Sequence, residues 1–354
     1  MASLPLRNRR IVLTARPTGA ARWEHFRLED VDVPAPPPGP FVIVRVLAVS
    51  IDPAMRGWMS TAKSYLPPVA IGDVMRASGI GQVLRSTASG FHPGDLVLGT
   101  FGLQEIGVCN VRDLERVDPV LRDVVPPHAW LSVLGTTGLT AFFGFLKIGK
   151  PVPGDTVLVS GAAGATGSVV GQIAKLMQCR VVGIAGSDAK CKQLVDAFGW
   201  DAAINYKAQQ GASLAKQIHR CCPDGVDVFF DNVGGDILDA GLSCLQRGAR
   251  VVLCGAISQY NAAQWQGPTR YMNLLTQRAS MQGFVVFDYA KEYKVARRRM
   301  ASWIVAGKLK YAVEEMAGLD RWIDALDALF SGANTGKMVL RLAEYEKPPV
   351  KPRL

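Results

Sequence analysis

The sequence has few residues that could hold a metal ion or build a disulfide framework. Its 354 residues include four histidines, at positions 25, 92, 128 and 219, and none of them is near another. A zinc site needs three or four Cys, His or carboxylate ligands at suitable spacing. The seven cysteines contain no C-x-x-C pair, and their odd number argues against a disulfide framework. We therefore expect reduced thiols and chemistry that proceeds without a metal.

Long apolar segments are also lacking. The N-terminus has no uninterrupted apolar stretch that ends at a small-residue cleavage site, so no secretory signal is predicted. The most apolar segment, 130–146, contains three Gly, three Thr and a Ser, and it is shorter than a typical membrane span. It is predicted to be a buried helix with its lead-in. A cytoplasmic protein without a membrane partner is the expectation.

The charge balance is basic, but the basic residues are not arranged for nucleic acid. Forty Lys and Arg against thirty Asp and Glu give a net charge of +10, which suits either a nucleic acid or an anionic small ligand. The dense basic runs at 7–10, 297–299 and 347–353 are not interleaved with aromatic residues, as a base-stacking platform requires. We therefore predict no nucleic-acid partner and favour an anionic small ligand.

The pattern of elements divides the chain into two domains, as its length suggests. Short strands broken by turn residues are predicted at 9–15, 41–51, 77–85, 95–101 and 104–111, which is typical of a β-barrel. Strands then alternate with helices, which indicates an α/β Rossmann fold with a doubly wound parallel sheet. The predicted strands are 156–160, 180–185, 202–206, 226–231, 249–254 and 282–287, and the helices 166–178, 188–199, 211–221, 236–246 and 268–278.

The end of the chain is predicted to return to the first domain. A helix at 289–306 is followed by a strand at 309–314, a helix at 319–330 and a strand at 337–342. We therefore expect a barrel domain at 1–128 that is completed by 310–354, and a Rossmann domain at 129–309.

A glycine-rich turn, SGAAGATGSVVG (160–171), joins the first strand of the Rossmann region to its helix. The dinucleotide fingerprint falls on Ala162, Gly164 and Gly167, with the first glycine replaced. Without a Cβ at position 164 the backbone can approach a pyrophosphate, and the helix N-terminus supplies unpaired N–H groups. A dinucleotide site is predicted here, and a purely structural glycine turn is the alternative.

No acidic residue stands at the end of the second strand, where NAD enzymes place Asp or Glu on the ribose 2′-hydroxyl. That strand ends at Gly186 and Ser187, and either Ser187 or Asp188 is expected to cap the next helix. A 2′-phosphate can lie over Ser187, where Lys190 meets its charge and Tyr206 reaches the same place. The sequence therefore favours NADPH.

These motifs resemble the zinc-independent medium-chain dehydrogenase/reductases, specifically the branch of leukotriene/prostaglandin reductases, alkenal double-bond reductases and curcumin reductases. The segments that carry the resemblance include DPAMRG (52–57), SGAAGATGSVVGQIAK (160–175), NYK (205–207), DNVGG (231–235) and CGAISQYN (254–261). The resemblance implies a GroES-like β-barrel domain, a Rossmann domain, and NADPH-dependent reduction of the C=C bond in α,β-unsaturated ketones or aldehydes. The chain has GDV at 72–74, where zinc-dependent relatives carry Gly-His-Glu. It departs from the family at Thr136-Thr137 and at Ala54, and the second departure leaves the size of the substrate open.

Together with the reasoning on the 2′-phosphate, the resemblance assigns a set of coenzyme contacts along the Rossmann region. They are Gly164, Ala165, Thr166, Gly167, Ser187, Lys190, Tyr206, Asn232, Cys254, Gly255, Ala256, Ile257, Ser258, Tyr260, Phe284, Val285, Val286 and Asn334. For Asn334, capping of the turn before Gly336 is the alternative. Cys254 is interpreted as a buried strand-end residue rather than a nucleophile.

Two tyrosines are the candidate catalytic residues. Hydride transfer to the β-carbon of an enone moves negative charge onto the carbonyl oxygen, and a hydrogen-bond donor aimed at that oxygen lowers the barrier. Tyr260, just past the end of a strand, is the candidate donor, and Tyr65 of the barrel domain could contact the substrate from the opposite wall. A packing tyrosine with its hydroxyl on the backbone is the alternative for Tyr260.

Two other functions stay open on the same coenzyme site. One is an NADPH quinone oxidoreductase, and the other is an NADP-binding protein without catalysis. By family likeness we also expect a homodimer, formed by pairing of the last Rossmann strand, 282–287, and a small-molecule enone or alkenal as the substrate.

Overall fold

The computed structural model describes residues 6–36, 38–122, 124–208 and 212–345, which form two compact units. The antiparallel unit contains the residues up to Leu131, then Glu314–Leu329 and the chain from Met338 onward. The parallel unit contains Ser132–Val313 and Phe330–Lys337. The predicted boundaries lie a few residues away, but the structure groups Phe330–Lys337 with the parallel unit rather than with the barrel. The basic run at 347–353 and the first residue of the predicted helix 211–221 lie outside the described residues.

The strands follow the chain in this order: β1 (Arg7–Leu13), β2 (Phe26–Asp32), β3 (Phe41–Ser50), β4 (Ser78–Ser86), β5 (Leu96–Thr100), β6 (Ile106–Asn110), β7 (Leu114–Arg116), β8 (Thr156–Val159), β9 (Arg180–Ala185), β10 (Ala202–Asn205), β11 (Val226–Asp231), β12 (Leu245–Leu253), β13 (Ser280–Gly283), β14 (Val313–Ala317) and β15 (Lys337–Arg341).

The α-helices are α1 (Ala54–Trp58), α2 (Pro119–Arg122), α3 (Thr136–Phe143), α4 (Gly167–Leu176), α5 (Asp188–Lys192), α6 (Leu214–Cys221), α7 (Gly235–Leu242), α8 (Met272–Gln277), α9 (Tyr293–Val305) and α10 (Trp322–Ser331). Two of them continue as π-helical turns, α3 through Gly144–Gly149 and α5 through Gln193–Ala197. Within the described ranges, no helix is long and apolar enough to cross a membrane. The apolar segment 130–146 contains the largely buried helix α3 after a turn, in agreement with the predicted buried helix and its lead-in.

The antiparallel unit is organised around β3. Its larger sheet has the strand order β14-β15-β3-β4-β5-β7, β6 also pairs with β3, and β1 and β2 form a separate antiparallel pair. The sequence of β3, FVIVRVLAVS, is apolar at nearly every position, and Val42, Val44, Val46 and Val49 are fully buried. Burial on both sides explains why this strand lacks the alternation of a surface strand.

The parallel unit is a doubly wound sheet, and the Rossmann prediction is confirmed. Its six strands have the order β10-β9-β8-β11-β12-β13, and every neighbouring pair is parallel. The winding reverses between β8 and β11. In such sheets ligands bind beyond the carboxyl ends of the strands at this reversal, so the fold directs the search for a site to the ends of β8 and β11.

Helix α4 forms within the predicted range 166–178, with Val169, Val170, Ile173 and Ala174 buried. Several boundaries differ from prediction, among them that of β14, which was predicted at 309–314 and lies at Val313–Ala317. The predicted strand 282–287 ends at Gly283, because β12 ends at Leu253, the residue paired with Gly283, and leaves no partner beyond it. The predicted helix 236–246 ends at Leu242, since β12 already begins at Leu245. Strands β2 and β7 were not predicted.

Candidate functional site

The turn between β8 and α4 presents backbone amides at the carboxyl edge of the sheet. Gly161 begins the turn with φ +55°. A Cβ on Gly167 would overlap the carbonyl oxygen of Gly161, so glycine is what allows the helix to start this close to the strand. Across the described residues, the N–H groups of Thr166 and Gly167 have no acceptor within the chain. These two amides, at the start of a ten-residue helix, can donate to the oxygens of an anion.

A segment from the end of the chain pairs with this turn. The N–H of Gly336 donates to the carbonyl of Ala163 at 3.1 Å, and Gly164 and Gly336 form an isolated parallel bridge. The buried Asn334 donates from Nδ2 to the carbonyl of Gly336 at 2.9 Å. Gly336 has φ +74°, and a Cβ there would overlap the backbone of Ala312. Asn334 therefore makes the turn-capping hydrogen bond that was the alternative to a coenzyme contact. Its segment lies against the glycine turn.

A buried carboxyl group ties the ends of β8 and β11 together. Asp231 accepts from Ser160 Oγ at 2.6 Å, from Val233 N at 3.2 Å and from Gly234 N at 2.9 Å. Asn232 donates from its backbone N–H to Ser160 Oγ at 2.8 Å and from Nδ2 to Ser160 O at 2.7 Å. Burial raises the pKa of Asp231 above its usual value, although these hydrogen bonds oppose the shift. The network fixes both loops at the reversal of the sheet.

The ends of β9 and β10 hold the residues expected at a 2′-phosphate. Ser187 caps α5, and its Oγ accepts from the N–H of Lys190 at 3.3 Å. Lys190 Nζ donates to the carbonyl of Gly332 at 2.7 Å. The ring of Tyr206 is 3.4 Å from the position of a Cβ on Gly186, and this side chain is 43% exposed. The structure thus brings Ser187, Lys190 and Tyr206 to one edge of the sheet.

The loop after β12 carries the predicted catalytic tyrosine. Tyr260 Oη accepts from the N–H of Ala256 at 3.1 Å. This is the backbone contact expected if Tyr260 were a packing residue rather than a donor to the substrate. Ser258 Oγ donates to Val233 O at 2.6 Å, which joins this loop to the one after β11. Burial raises the pKa of Cys254 to about 12, and the thiolate form that a nucleophile requires is therefore scarce at neutral pH.

The remaining predicted coenzyme contacts lie on the same edge of the parallel sheet. Ile257, two residues after Gly255, donates from its N–H to Asn232 O at 3.3 Å. Past the end of β13, Phe284 meets Phe230 edge to face, and Val285 and the buried Val286 follow. Tyr65, the predicted substrate contact, belongs to the antiparallel unit, where it lies between α1 and β4 and is 55% exposed.

No metal centre is found among the described residues, where no three His, Cys, Asp or Glu side chains are grouped to hold an ion. Three of the histidines each lie near one carboxylate instead, and His25 Nε2 is 3.9 Å from Glu24 Oε1. His128 Nδ1 is 3.4 Å from Glu315 Oε1, and His92 Nδ1 is 3.7 Å from Asp95 Oδ2. All seven cysteines are free thiols.

Sequence reasoning did not find Ser160, Asp231 or Lys207 at this edge. Asp231 closes the apolar strand VDVFFD, and a buried acid at the end of such a strand is the signal that could have identified it. Lys207 stands next to Tyr206 in the NYK motif, and its Nζ donates to the carbonyl of Ser331 at 3.2 Å. No local pattern predicts that contact, because 124 residues separate the two.

Comparison with known proteins identifies the family. The chain matches the model described as N-terminal domain of oxidoreductase over residues 9–117 and the model described as Zinc-binding dehydrogenase over residues 165–302. It is 40% identical to the NADPH-dependent curcumin reductase of Escherichia coli, over 95% of this chain and 97% of that protein. It is 37% identical to the NADP(+)-dependent 2-alkenal reductase of Nicotiana tabacum, over 95% and 98%.

Among solved structures, CurA from Vibrio vulnificus in complex with NADPH is 41% identical and superposes with a TM-score of 0.87, over 95% of this chain and 99% of that one. With a doubly wound sheet, an antiparallel N-terminal unit and relatives matched over nearly their full lengths, the chain belongs to the zinc-independent branch of the medium-chain dehydrogenase/reductase family.

Proposed function

We propose that this protein uses NADPH to reduce the C=C bond of α,β-unsaturated ketones or aldehydes without a metal ion. The observation that carries the proposal is the near full-length likeness to a curcumin reductase and to a 2-alkenal reductase. A 2-alkenal carries a C=C bond conjugated to an aldehyde, which is the bond proposed to be reduced. The clustering of the predicted coenzyme contacts at one edge of the parallel sheet supports the same conclusion.

The residues of the parallel unit suit the two anionic parts of NADPH. The amides of Thr166 and Gly167, at the positive end of α4 and directly after Ala165, would donate to the diphosphate oxygens. Lys190 and Tyr206 would meet the 2′-phosphate at the ends of β9 and β10. Since no carboxylate occupies the tip of β9, a phosphorylated ribose is favoured over the free 2′-hydroxyl.

When bound, NADPH supplies the hydride that adds to the β-carbon of the conjugated substrate. The chain must then stabilise the negative charge that develops on the carbonyl oxygen. Tyr260 is the proposed donor to that oxygen. Its Oη accepts from Ala256 N–H, a contact that fixes the position of the oxygen and stabilises it when its own proton is donated. Tyr65 is the proposed substrate contact from the antiparallel unit.

The proposal is tested with purified protein and a substrate panel. NADPH consumption is followed spectroscopically with enones, 2-alkenals, quinones and saturated aldehydes, and products are identified by mass spectrometry. We expect turnover of enones and 2-alkenals to products with a saturated C=C bond and an intact carbonyl. Turnover of quinones without enones would identify a quinone oxidoreductase instead, and coenzyme binding without any turnover would identify a non-catalytic protein.

We also propose a homodimer that forms along β13. This strand is the edge of the parallel sheet, and three of its four residues are exposed. An exposed strand edge carries unpaired N–H and C=O groups that a second copy can meet. Beside it, Leu275 on α8 is 69% exposed. Sedimentation equilibrium should give twice the chain mass of 38.1 kDa, and Leu275→Asp should lower it. A wild-type mass equal to one chain contradicts the dimer.

A further inference from the structure

We propose that Lys207 is a second cation for the coenzyme's 2′-phosphate and that it acts with Lys190 to set the preference for NADPH over NADH; this inference rests on the proposed function. Lys207 lies just past the end of β10, directly after Tyr206. Its Cε is 3.4 Å from the position that a Cβ on Gly186 would take, the same distance as the ring of Tyr206. The stem of Lys207 therefore lines the tip of β9, where the adenosine ribose of a Rossmann coenzyme binds.

The two lysines converge on neighbouring acceptors. Lys207 Nζ donates to the carbonyl of Ser331 at 3.2 Å, and Lys190 Nζ donates to the carbonyl of Gly332 at 2.7 Å. These carbonyls close the C-terminal end of α10, which carries a partial negative charge. Two ammonium groups held at adjacent oxygens repel each other, and a doubly charged anion near both is strongly favoured there. A phosphate monoester carries about −1.5 to −2 charges at neutral pH.

Asp188, an acidic residue of this region, is engaged in a hydrogen bond within the chain. Asp188 Oδ1 accepts from Asn205 Nδ2 at 2.8 Å. The same amide accepts through Oδ1 from the N–H of Lys207 at 3.1 Å. Asn205 therefore holds the carboxylate and the backbone of Lys207 at once. This arrangement fixes where Lys207 leaves the strand, and it engages the carboxylate that would otherwise compete with a phosphate for the cations.

A purely structural role for Lys207 is the competing explanation. Lysines near the last carbonyls of a helix stabilise it through the helix dipole. A capping lysine changes the stability of the free protein, but it does not distinguish a nucleotide with a 2′-phosphate from one without it. Discrimination between such a pair of nucleotides therefore separates the two explanations.

The test is isothermal titration calorimetry of the full chain with 2′,5′-ADP and with 5′-AMP. Lys207→Met keeps the apolar stem and removes the charge, and we expect it to weaken 2′,5′-ADP binding about tenfold or more and to leave 5′-AMP binding unchanged. Lys207→Arg should restore most of the affinity. Lys216→Met, on the exposed face of α6, is the matched control and should change neither.

Three results would overturn the inference. Equal weakening of both nucleotides by Lys207→Met, or no weakening of either, removes Lys207 from the phosphate site. A lower unfolding temperature of the free Lys207→Met variant with unchanged discrimination assigns the residue to capping of α10 alone. Failure of the proposed function would give a different result: the wild-type protein itself would bind 2′,5′-ADP no better than 5′-AMP.

Discussion

The proposed role of Tyr260 depends on whether its hydroxyl donates or accepts a hydrogen bond. Its Oη accepts from Ala256 N–H, so it can both hold its own loop and donate to a substrate oxygen. Tyr260→Phe should lower kcat about 100-fold, since losing one donor to a developing oxyanion costs about 3 kcal/mol. NADPH affinity, measured by fluorescence titration, should change little. Lost NADPH affinity with retained kcat would show that Tyr260 only holds the loop.

Gly336 is a residue at which both space and backbone conformation require glycine. Its φ is +74°, and a Cβ would overlap the backbone of Ala312. Gly336→Ala should lower the free energy of unfolding by more than the roughly 1–2 kcal/mol that a left-handed conformation alone costs. Gly332→Ala is the matched control, because Gly332 has φ +69° with nothing within 4 Å of its Cβ position. Equal losses in chemical denaturation would contradict the steric explanation.

Single residues were predictable where the signal is local. Ser187 caps α5 because a serine before a helix accepts from its first turn, and the sequence places it there. The partner of Lys190 was not predictable, since Gly332 is 142 residues away and offers only a backbone carbonyl. The hydroxyl of Tyr260 likewise meets a backbone amide, which no side-chain pattern encodes.

The element β11 ends in a carboxyl group that should make stability depend on pH. Burial raises the pKa of Asp231 in the folded protein above the unfolded value of about 3.9. The folded state then binds more protons than the unfolded state between these two values, so stability from this group falls as the pH rises through that interval. The wild type should therefore lose stability relative to Asp231→Asn as the pH rises from about 4. Urea unfolding at several pH values measures the difference, and a constant difference contradicts the assignment.

Asp239 on α7 provides a control of opposite sign. Burial tends to raise its pKa, but hydrogen bonds from Thr269 and Arg270 outweigh it and lower the pKa below the usual value. Its stabilisation is present above the unfolded pKa and is lost as the pH falls through the folded value. The wild type should therefore lose stability relative to Asp239→Asn as the pH decreases below about 4. The same slope in both variants would exclude specific titration of either residue.

Helices and strands were predicted well where hydrophobic periodicity is strong, and poorly where pairing between strands determines where an element ends. The helix predicted at 166–178 forms as α4, with Val169, Val170 and Ile173 buried, and the apolar strands β8, β9 and β11 were predicted within one residue. The run 284–287 is as apolar as these strands, yet it does not pair, because β12 stops opposite Gly283. Its side chains are accommodated by packing instead, with Phe284 against Phe230. Which strand ends first is a property of the sheet and not of the local sequence.

For the whole molecule, NADPH should stabilise the folded state more than NADH does. A ligand that binds only the folded state adds about 2.7 kcal/mol at 100 times its Kd. At equal concentration the coenzyme with the lower Kd therefore gives the larger increase in unfolding temperature. Differential scanning fluorimetry with both reduced coenzymes measures this. Equal increases, or none, would contradict the proposed recognition of the 2′-phosphate by Ser187, Lys190 and Tyr206.

The short segment Phe330–Lys337 decides how this protein can be dissected. It groups with the parallel unit, although the residues before and after it group with the antiparallel unit. A recombinant fragment that ends at Val313 would lose Asn334 and the Gly336 N–H that donates to the carbonyl of Ala163. It would also lose the carbonyls that accept from Lys190 and Lys207. Chimaeras that exchange the nucleotide-recognition half between homologues must therefore graft eight distant residues along with the main insert.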